Sequence, residues 1–453
     1  MDKQVKRIIP CIDIKNGKAV KGVNFLGVKE VGDILDLANK YALQGADELV
    51  LLDISASHEK RTTNQAWVGD VVRALDIPVT IGGGISLVAD AKALLDLGAT
   101  RVSVGSAALK NPDLIDQFVS AFGSDAVVLA IDAQLVNGEW MVFSDGGRTA
   151  TNLSLLDWAK ESEKRGAGSI LFTSIAHDGK QTGYPVEALA QLKDVVAIPI
   201  IASGGAGKLA DFYDALSSGR ADAVLAASLF HYNQVNIDEL KFFLWREGVT
   251  VDLSRCIDRI QFDEKGLVPA VIQDITTGTN LMLGYMNKES LQKTLDTGLV
   301  TFFSRSRQKL WTKGEESGNL LHLFSLHMDC DQDALLVKVK PVGPTCHTGS
   351  SSCWNEHTTN HEFLFYLESF LKARRTESAD SSYTASLYQR GTAKIAQKVG
   401  EEAVELVIEA MRDKDDLFLG EAADLLYHYI VLLEDKGFSL SDVIGVLQSR
   451  HKE

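Results

Sequence analysis

The spacing of apolar and polar positions divides the chain into three regions. Up to about residue 250, short runs rich in Val, Ile and Leu alternate with amphipathic helical stretches, eight units in succession. This alternation predicts a (β/α)8 barrel, the TIM barrel, in which helices surround eight parallel strands. The pattern then becomes strand-like with many polar turns, and it ends in a helical stretch. We therefore predict three domains: a barrel over residues 1–253, a small mainly-β metal-binding domain over 254–357 and an all-α domain over 358–453.

The barrel region repeats itself at a spacing of about 120 residues. "CID", ending at Asp13, recurs as "AID", ending at Asp132, and "IGGGI" at Ile81 recurs as "SGGAG" at Ser203. The repeat predicts two fused half-barrels with equivalent glycine loops on opposite sides of the barrel mouth. Exposed amides in such loops bind phosphate, although tight packing of a strand against a helix also explains a single glycine run. The predicted phosphate-binding residues are Gly82, Gly83, Gly84, Gly204, Gly205, Gly207 and Ser228.

Two aspartates are predicted to lie between these loops, at the carboxyl ends of the first and fifth strands. Carboxylates at this end of a barrel strand are typical of catalytic residues. Asp13 and Asp132 would face each other across a long substrate with a phosphate at each end, where they could divide general acid and general base catalysis. The alternative is that one of them only fixes a loop.

Composition limits the compartment and the partners. With 453 residues, 45% of them hydrophobic, the chain is typical of globular proteins, and its net charge of −15 argues against a general nucleic-acid surface. No run of about 18 apolar residues indicates a membrane span, so we expect a cytoplasmic protein. Disulfide bonds are rare there, and five cysteines are an odd number, so clustered thiols favour a metal site. Cys11 and Cys256 lie outside the cluster, and we expect them to be buried small hydrophobes.

The cysteine cluster "MDCDQDALLVKVKPVGPTCHTGSSSCW" predicts a zinc site. Cys330, Cys346 and Cys353 provide three ligands, and an open fourth position is typical of catalytic zinc. His347 could complete a closed structural site instead. We favour a proton-transfer role for His347, because a residue directly after Cys346 has difficulty reaching the same metal.

Three aspartates at every second position lie in the same segment. Asp329, Asp331 and Asp333 offer hard oxygen ligands, which suit magnesium, whereas a solvated acidic edge is the alternative. Alternation along a strand would place Cys330 on the face opposite the first two of them, so we expect a bulge or a site shared between subunits.

The helical region carries two acidic pairs at helical spacing. Glu402 and Glu405 lie in "KVGEEAVELVIEAM", and Glu421 and Asp424 lie in "GEAADLLYHY". If the two helices pack antiparallel, four carboxylates converge, and their repulsion favours a bound magnesium ion. Ordinary exposed acidic faces are the alternative.

The first region resembles the cyclase subunit of imidazole glycerol phosphate synthase in "RIIPCIDIKNGKAVKGVNF", "IGGGI", "AIDA", "HDG" and "IIASGGAGK". The resemblance implies that ammonia is joined to a formimino ribulosyl nucleotide with two phosphates, with Asp13 and Asp132 as the acid–base pair. It also places Lys21 in a mobile loop that closes over the substrate, and Asp178 near the substrate. Gly105 stands where this family often has asparagine.

The same resemblance implies a partner. In this family a separate glutaminase docks at the amino-terminal end of the barrel, and ammonia passes through the barrel interior. Arg7, Glu48 and Arg101 match the charged residues of that entrance, whereas Ser169 and Thr100 replace a usual glutamate and a usual aspartate. No class I glutaminase nucleophile elbow surrounds any of the five cysteines.

The second region resembles phosphoribosyl-AMP cyclohydrolase in "FFSRSRQKLWTKGEESGN", "DCDQDALLVKV" and "CHTGSSSCW". This resemblance implies zinc on the three cysteines, magnesium near the aspartates and sites shared between two subunits. The third region, with "LYQRGTAKIAQKVGEEAVE", resembles phosphoribosyl-ATP pyrophosphohydrolase, which releases pyrophosphate. There Arg390, Lys394 and Lys398 could meet phosphate oxygens, although helix solubility explains them equally well.

We therefore predict a histidine biosynthesis enzyme with three activities: one lyase, the cyclase, and two hydrolases. It would act on phosphorylated nucleotides with Zn²⁺ and Mg²⁺, form a homodimer through the cyclohydrolase and helical domains, and bind neither nucleic acid nor membrane. A scaffold or regulatory nucleotide-binding protein with one or more dead sites is one alternative. A general nucleotide pyrophosphatase in the last domain is another.

Overall fold

The computed structural model of the chain describes residues 4–23, 26–56, 63, 65–354, 360–376, 382–412 and 414–451. These residues divide into two units, Met1–Gln261 and Phe262–Glu453. The predicted boundary after residue 253 therefore falls within the first unit. The predicted boundary after residue 357 lies outside the described residues.

Eight parallel strands close into a barrel in the first unit. The strands described there are β1 (Arg7–Lys15), β2 (Lys18–Val23), β3 (Leu26–Gly32), β4 (Leu49–Asp53), β5 (Val79–Gly82), β6 (Arg101–Val104), β7 (Val127–Val136), β8 (Glu139–Ser144), β9 (Thr149–Ser154), β10 (Ser169–Ser174), β11 (Ile200–Ser203) and β12 (Ala223–Ala226). Parallel pairing runs from β1 through β4, β5, β6, β7, β10, β11 and β12, and β12 pairs back with β1. The predicted (β/α)8 barrel is confirmed.

Helices follow the barrel strands and cover the barrel. They are α1 (Ile34–Leu43), α2 (Gln65–Ala74), α3 (Val88–Asp96), α4 (Ser106–Lys110), α5 (Asp113–Phe122), α6 (Leu155–Lys164), α7 (Val186–Val195), α8 (Leu209–Leu216), α9 (Ser228–His231), α10 (Ile237–Arg246) and α11 (Ser254–Asp258). Polar caps begin several of them; the Asp33 side chain, for example, accepts hydrogen bonds from two amides of the first turn of α1. Several of the helices turn an apolar face inward, as α5 does with Leu114, Ile115 and Phe118.

The two half-barrels share one local feature. Antiparallel strands extend the first strand of each half, β2 and β3 after β1, and β8 and β9 after β7. The barrel interior is filled by apolar side chains that include Ile9, Val50, Val128, Leu171 and Ile201, all at most 2% exposed. This packing makes the barrel a solid support for residues at its mouth.

The second unit contains a small β region and a helical region. Its described elements are β13 (Val268–Asp274), β14 (Asn280–Met286), α12 (Lys288–Thr297), β15 (Thr301–Ser304), β16 (Lys309–Thr312), β17 (Leu321–Met328), β18 (Leu335–Pro341), α13 (Asn360–Ala373), α14 (Tyr383–Arg390), α15 (Thr392–Glu409), α16 (Asp415–Asp435) and α17 (Leu440–Arg450). Four strands form one sheet in the order β14-β13-β18-β17, and β15 pairs with β16. The predicted change from β to helical structure is confirmed. No helix among the described residues is both long and apolar enough to span a membrane.

Candidate active sites of the two units

Two carboxylates stand at the carboxyl ends of opposite barrel strands, Asp13 on β1 and Asp132 on β7. Asp13 is buried, and Lys21 Nζ lies 2.8 Å from its Oδ2 atom and 3.8 Å from Asp178 Oδ1. Burial alone would lower the pKa of Lys21, but the charges of Asp13 and Asp178 raise it, so the ammonium group stays protonated. Lys21 lies on β2, so the connection that we expected to be a loop is partly a hairpin.

Asp132 lies in a different electrostatic environment. Its burial, with a smaller contribution from the charge of Asp178, raises its pKa to about 7. Asp132 therefore keeps its proton to a much higher pH than an ordinary aspartate. Among the described residues no ion pair neutralises Asp132, whereas Asp13 faces an ammonium group at hydrogen-bonding distance.

Glycine loops flank the two carboxylates. One cavity contains Asp13, Lys21 and Asp178 beside Gly204, Gly205 and Ser228. A second cavity, which contains Asp132, shares three residues with it, namely Leu52, Leu171 and Thr173. A third continues from the second through Gly83 and Gly105 to Gly84 and Ser106. The predicted glycines thus line both sides of the barrel mouth, except Gly82, which ends β5, and Gly207, whose N–H donates to Asp211 Oδ2 at 2.8 Å.

The backbone at two of these glycines excludes any side chain. Gly83 has φ +103°, and a Cβ atom there would lie 2.2 Å from the carbonyl oxygen of Asp53. Gly205 has φ +123°, and its Cβ atom would lie 2.1 Å from the carbonyl oxygen of Gly183. Both positions therefore require glycine, because the neighbouring backbone leaves no room for a Cβ atom.

Ser106 is a site residue that our sequence reasoning missed. It begins α4 in the cavity beside Gly83 and Gly84, as Ser228 begins α9 beside Gly204 and Gly205. The internal repeat pairs "VGSAA", which contains Ser106, with "AASLF", which contains Ser228. The same signal therefore indicates both serines.

The amino-terminal end of the barrel holds a charged cluster. The Glu48 carboxylate is 1% exposed, and its Oε2 atom lies 2.8 Å from Arg7 and 2.9 Å from Arg101. Its other oxygen accepts a hydrogen bond from Thr80. Ser169 is buried at the start of β10. Two guanidinium groups therefore face a single carboxylate in this cluster, which we call the entrance cluster.

The thiols of the second unit are only partly gathered. Thr348 Oγ1 donates to Cys346 Sγ at 3.1 Å, and this hydrogen bond, with a smaller contribution from Cys353, lowers the pKa of Cys346. Among the described residues, Cys330 forms no compact three-ligand group with these two cysteines. The ring of His347 lies beside Cys346, with Nδ1 3.8 Å from the sulfur. The imidazole and the thiol are therefore close in space, although the two residues are neighbours in sequence.

Cys330 and the three aspartates lie in the connection between β17 and β18, not on a strand. Asp329, Asp331 and Asp333 place carboxylate oxygens within 4.8 Å of one another on an exposed surface. The charge of Asp331 is the main cause of the raised pKa of Asp333. Strand alternation therefore does not apply to Cys330 and its neighbours, because they lie beyond the end of β17 at Met328.

Carboxylates converge between α15 and α16. Glu402, Glu421 and Asp424 offer oxygen atoms within 4.8 Å of one another. Partial burial and the charge of Glu405, which hydrogen-bonds Glu421, raise the pKa of Glu421. Glu402 and Glu421 lie at similar distances in sequence from the turn that connects α15 and α16. They meet because the two helices are antiparallel, as expected. Lys398 Nζ lies 2.8 Å from Glu402 Oε1, so this cation faces the acidic group.

His428 is a second residue that sequence reasoning missed. It is buried, and its Nδ1 atom lies 3.8 Å from Glu402 Oε1 and 2.9 Å from the Asp424 carbonyl oxygen. Its Nε2 atom lies 3.1 Å from the Tyr383 hydroxyl. The spacing of four residues from Asp424 on one helical face was the available signal.

Comparisons with known proteins agree with this arrangement. Three family profiles match the chain in order: Histidine biosynthesis protein over residues 7–236, Phosphoribosyl-AMP cyclohydrolase over 282–355 and Phosphoribosyl-ATP pyrophosphohydrolase over 365–451. The imidazole glycerol phosphate synthase subunit HisF of Flavobacterium psychrophilum is 55% identical over 248 residues, which are 55% of this chain and 99% of the relative. The subunit of the same name from Azobacteroides pseudotrichonymphae is 53% identical over 247 residues, 54% of this chain and 98% of the relative.

Proposed function

The chain belongs to the histidine biosynthesis protein family, and we propose which of its residues carry out each reaction. It carries three activities: the cyclase of imidazole glycerol phosphate synthase, phosphoribosyl-AMP cyclohydrolase and phosphoribosyl-ATP pyrophosphohydrolase. The observation that carries the barrel assignment is the position of Asp13 and Asp132 between two glycine cradles. Such a mouth suits a substrate with a phosphate at each end.

Asp132 is the proton donor and Asp13 the proton acceptor of the cyclase reaction. Asp132 keeps a proton near neutral pH because its pKa is about 7. Asp13 accepts a hydrogen bond from the ammonium group of Lys21 at 2.8 Å. Two carboxyl groups in such different environments can take opposite roles in one reaction. Lys21 and Asp178 then orient the substrate beside Asp13, and Gly204, Gly205 and Ser228 hold one of its phosphates.

Zinc in the cyclohydrolase region would be held by Cys330, Cys346 and Cys353. Thiolates suit zinc, but one chain brings only the latter two together. We assign the third position to Cys330 of the partner subunit, so that the site requires a homodimer. A zinc ion there would activate water for ring opening, His347 would move protons, and Asp329, Asp331 and Asp333 would hold magnesium.

Magnesium in the helical region would be held by Glu402, Glu405, Glu421 and Asp424. The convergence of Glu402, Glu421 and Asp424, with Glu405 hydrogen-bonded to Glu421, supports this assignment, because clustered carboxylates repel one another unless a cation lies among them. The site would act on phosphoribosyl-ATP and release pyrophosphate. Comparing its turnover with that of ordinary nucleoside triphosphates tests this specificity; equal turnover would favour a general nucleotide pyrophosphatase.

The cyclase needs ammonia from a separate glutaminase, which we place at the entrance cluster. The purified chain should cyclise its substrate with ammonium salts and fail with glutamine, and adding a glutaminase subunit should restore the use of glutamine. Each of the three reactions is assayed separately on the same preparation. Glutamine-dependent turnover by the pure chain would show that a glutaminase site exists within it. If the unsubstituted chain lacked any one of the three activities, the alternative of a protein with a dead site would be favoured.

A further inference from the structure

The two glycine cradles at the barrel mouth carry different side chains at equivalent positions of the internal repeat. We call the cradle that contains Ser106 the first-half cradle. The repeat places Ser103 of the first half opposite Leu225 of the second. It also places Lys110 opposite Tyr232. The first half therefore has a hydroxyl and an ammonium group where the second half has an apolar and an aromatic side chain.

The space at the first-half cradle is continuous from Asp132 to Lys110. The cavity that contains Lys110 has a volume of about 420 Å³, and the cavity that contains Asp132 has a volume of about 170 Å³. The cavity at the other cradle measures only about 50 Å³. Gly105 lines both of the larger cavities and has no side chain to fill the space between them.

Ser103 also lines both of these cavities, and its hydroxyl has no partner. The residue is 4% exposed, and its Oγ atom is buried without a hydrogen bond to any other described residue. A buried hydroxyl without a partner is unfavourable, so such atoms mark positions where a polar ligand supplies the missing hydrogen bond. The orphaned oxygen therefore indicates a polar ligand in this space.

Lys110 is held beside the cradle by the turn between β8 and β9. It follows Ser106 by four residues on α4, so the two side chains lie on one helical face. Lys110 Nζ lies 2.9 Å from Asp145 Oδ1 in that turn, and the Asp145 amide donates to Ser106 Oγ at 2.8 Å. Asp145 therefore contacts both the lysine and the serine of the cradle.

The ion pair between Lys110 and Asp145 is open to exchange. Its side chains are 67% and 42% exposed, and exposed pairs of this kind contribute little free energy. A phosphate monoester carries a charge of about −1.5 to −2 at neutral pH, more than a carboxylate does. A phosphate group in the cradle therefore competes with Asp145 for the ammonium group.

We propose that Lys110 binds a substrate phosphate in the first-half cradle, an inference that rests on the proposed function. In the free protein Asp145 holds the ammonium group at the cavity. When the substrate enters, the ammonium group leaves Asp145 and pairs with the phosphate, while the amides of the glycine loop and the Ser106 hydroxyl bind the remaining phosphate oxygens. The second half has no equivalent of this lysine, so only one of the two phosphates gains the contact.

Substitutions on the two sides of the ion pair should act in opposite directions. Lys110→Ala should raise the KM of the barrel substrate about tenfold, with a smaller change in kcat, because a contact made before and during the reaction is lost. Asp145→Asn removes the competing charge and should lower the KM about threefold. A lysine that only stabilises the turn would not give this result, because both substitutions break the same ion pair.

Lys92→Ala is the matched control. Lys92 is 61% exposed, pairs with Asp96 and lines neither cavity, so its substitution should leave the KM unchanged. All measurements use the full chain with ammonium salts. The inference is overturned if Lys110→Ala leaves the KM unchanged or if Asp145→Asn does not lower it. Absence of ammonium-dependent cyclisation by the unsubstituted chain overturns the proposed cyclase and this inference with it.

Product inhibition identifies the phosphate that Lys110 binds. Each of the two products, imidazole glycerol phosphate and aminoimidazole carboxamide ribotide, carries one phosphate. Lys110→Ala should raise the inhibition constant of one product about tenfold and leave that of the other unchanged. An equal effect on both products, or an effect on neither, contradicts a contact at a single phosphate.

Discussion

Asp132 illustrates how burial changes the chemistry of one residue. An aspartate in water is ionised at neutral pH, but burial and the charge of Asp178 raise the pKa of Asp132 to about 7. Asp13, on the opposite barrel strand, instead meets the ammonium group of Lys21. The functional difference between the two aspartates therefore comes from their neighbours and not from their residue type.

The pH dependence of the cyclase follows from this difference. A proton donor with a raised pKa is active below that pKa and is lost as the pH rises through it. At a fixed concentration of free ammonia, kcat/KM should therefore fall about tenfold per pH unit above pH 7. At fixed total ammonium the supply of free ammonia rises by about the same factor per unit, so the measured rate should be nearly level from about pH 7 to 9.

A substitution at Asp178 provides a second test of this profile. Asp178→Asn removes a charge that helps to raise the pKa of Asp132, so the fall in kcat/KM should move to lower pH. A profile that stays level to pH 9 at fixed free ammonia would contradict the donor role of Asp132.

Among the elements, the glycine loops both line the cavities at the barrel mouth and pack closely against neighbouring backbone. Gly205→Ala would place a methyl group against the Gly183 carbonyl at positive φ, where strain costs about 1–3 kcal/mol. The loop must shift, so we expect the KM of the barrel substrate to rise about tenfold, measured with ammonium salts. Gly123→Ala, also at positive φ but with no atom within 4 Å of the added Cβ, is the control and should leave KM unchanged. An unchanged KM in Gly205→Ala would remove this loop from the phosphate site.

The acidic site between α15 and α16 can be tested by substitution of one of its ligands. Glu402→Gln replaces a buried, negatively charged carboxylate ligand with a neutral amide, so Mg²⁺ should no longer raise the Tm of the helical region, and pyrophosphate release should fall by about two orders of magnitude. Glu401→Gln changes the adjacent side chain, which is 40% exposed and lies outside the acidic group, and it should behave like the unsubstituted chain. Near-normal release by Glu402→Gln would exclude Glu402 from the metal site.

At the scale of the whole molecule, we expect the active sites to be independent. Cys346→Ser should lower the zinc content and abolish ring opening, because a hydroxyl is a much weaker zinc ligand than a thiolate. Ammonium-dependent cyclisation should continue at its normal rate, since the barrel closes on itself within the first unit. Zinc analysis and the two assays on one preparation measure both effects. A parallel fall in cyclisation by a folded protein would show that the sites are coupled.

Local pattern and internal repetition were enough to predict much of this protein. The strand–helix alternation predicted the barrel because hydrophobic periodicity is a local property of the chain. The repeat predicted paired glycine loops, and it also contained the pairing of Ser106 with Ser228 that we did not use. The acidic pairs on α15 and α16 were recognised because helical spacing places i and i+3 on one face.

Only the tertiary structure decided which charges meet. The pairing of Lys21 with Asp13, the raised pKa of Asp132 and the two arginines on Glu48 depend on residues distant in sequence and on burial. The position of the chain after the barrel is of the same kind, because the Lys241 ammonium group donates a hydrogen bond to the Asp252 carbonyl oxygen, a contact that no local pattern predicts. Periodicity determines which face of an element is buried, whereas Coulomb interactions depend on distances that exist only once the elements have packed.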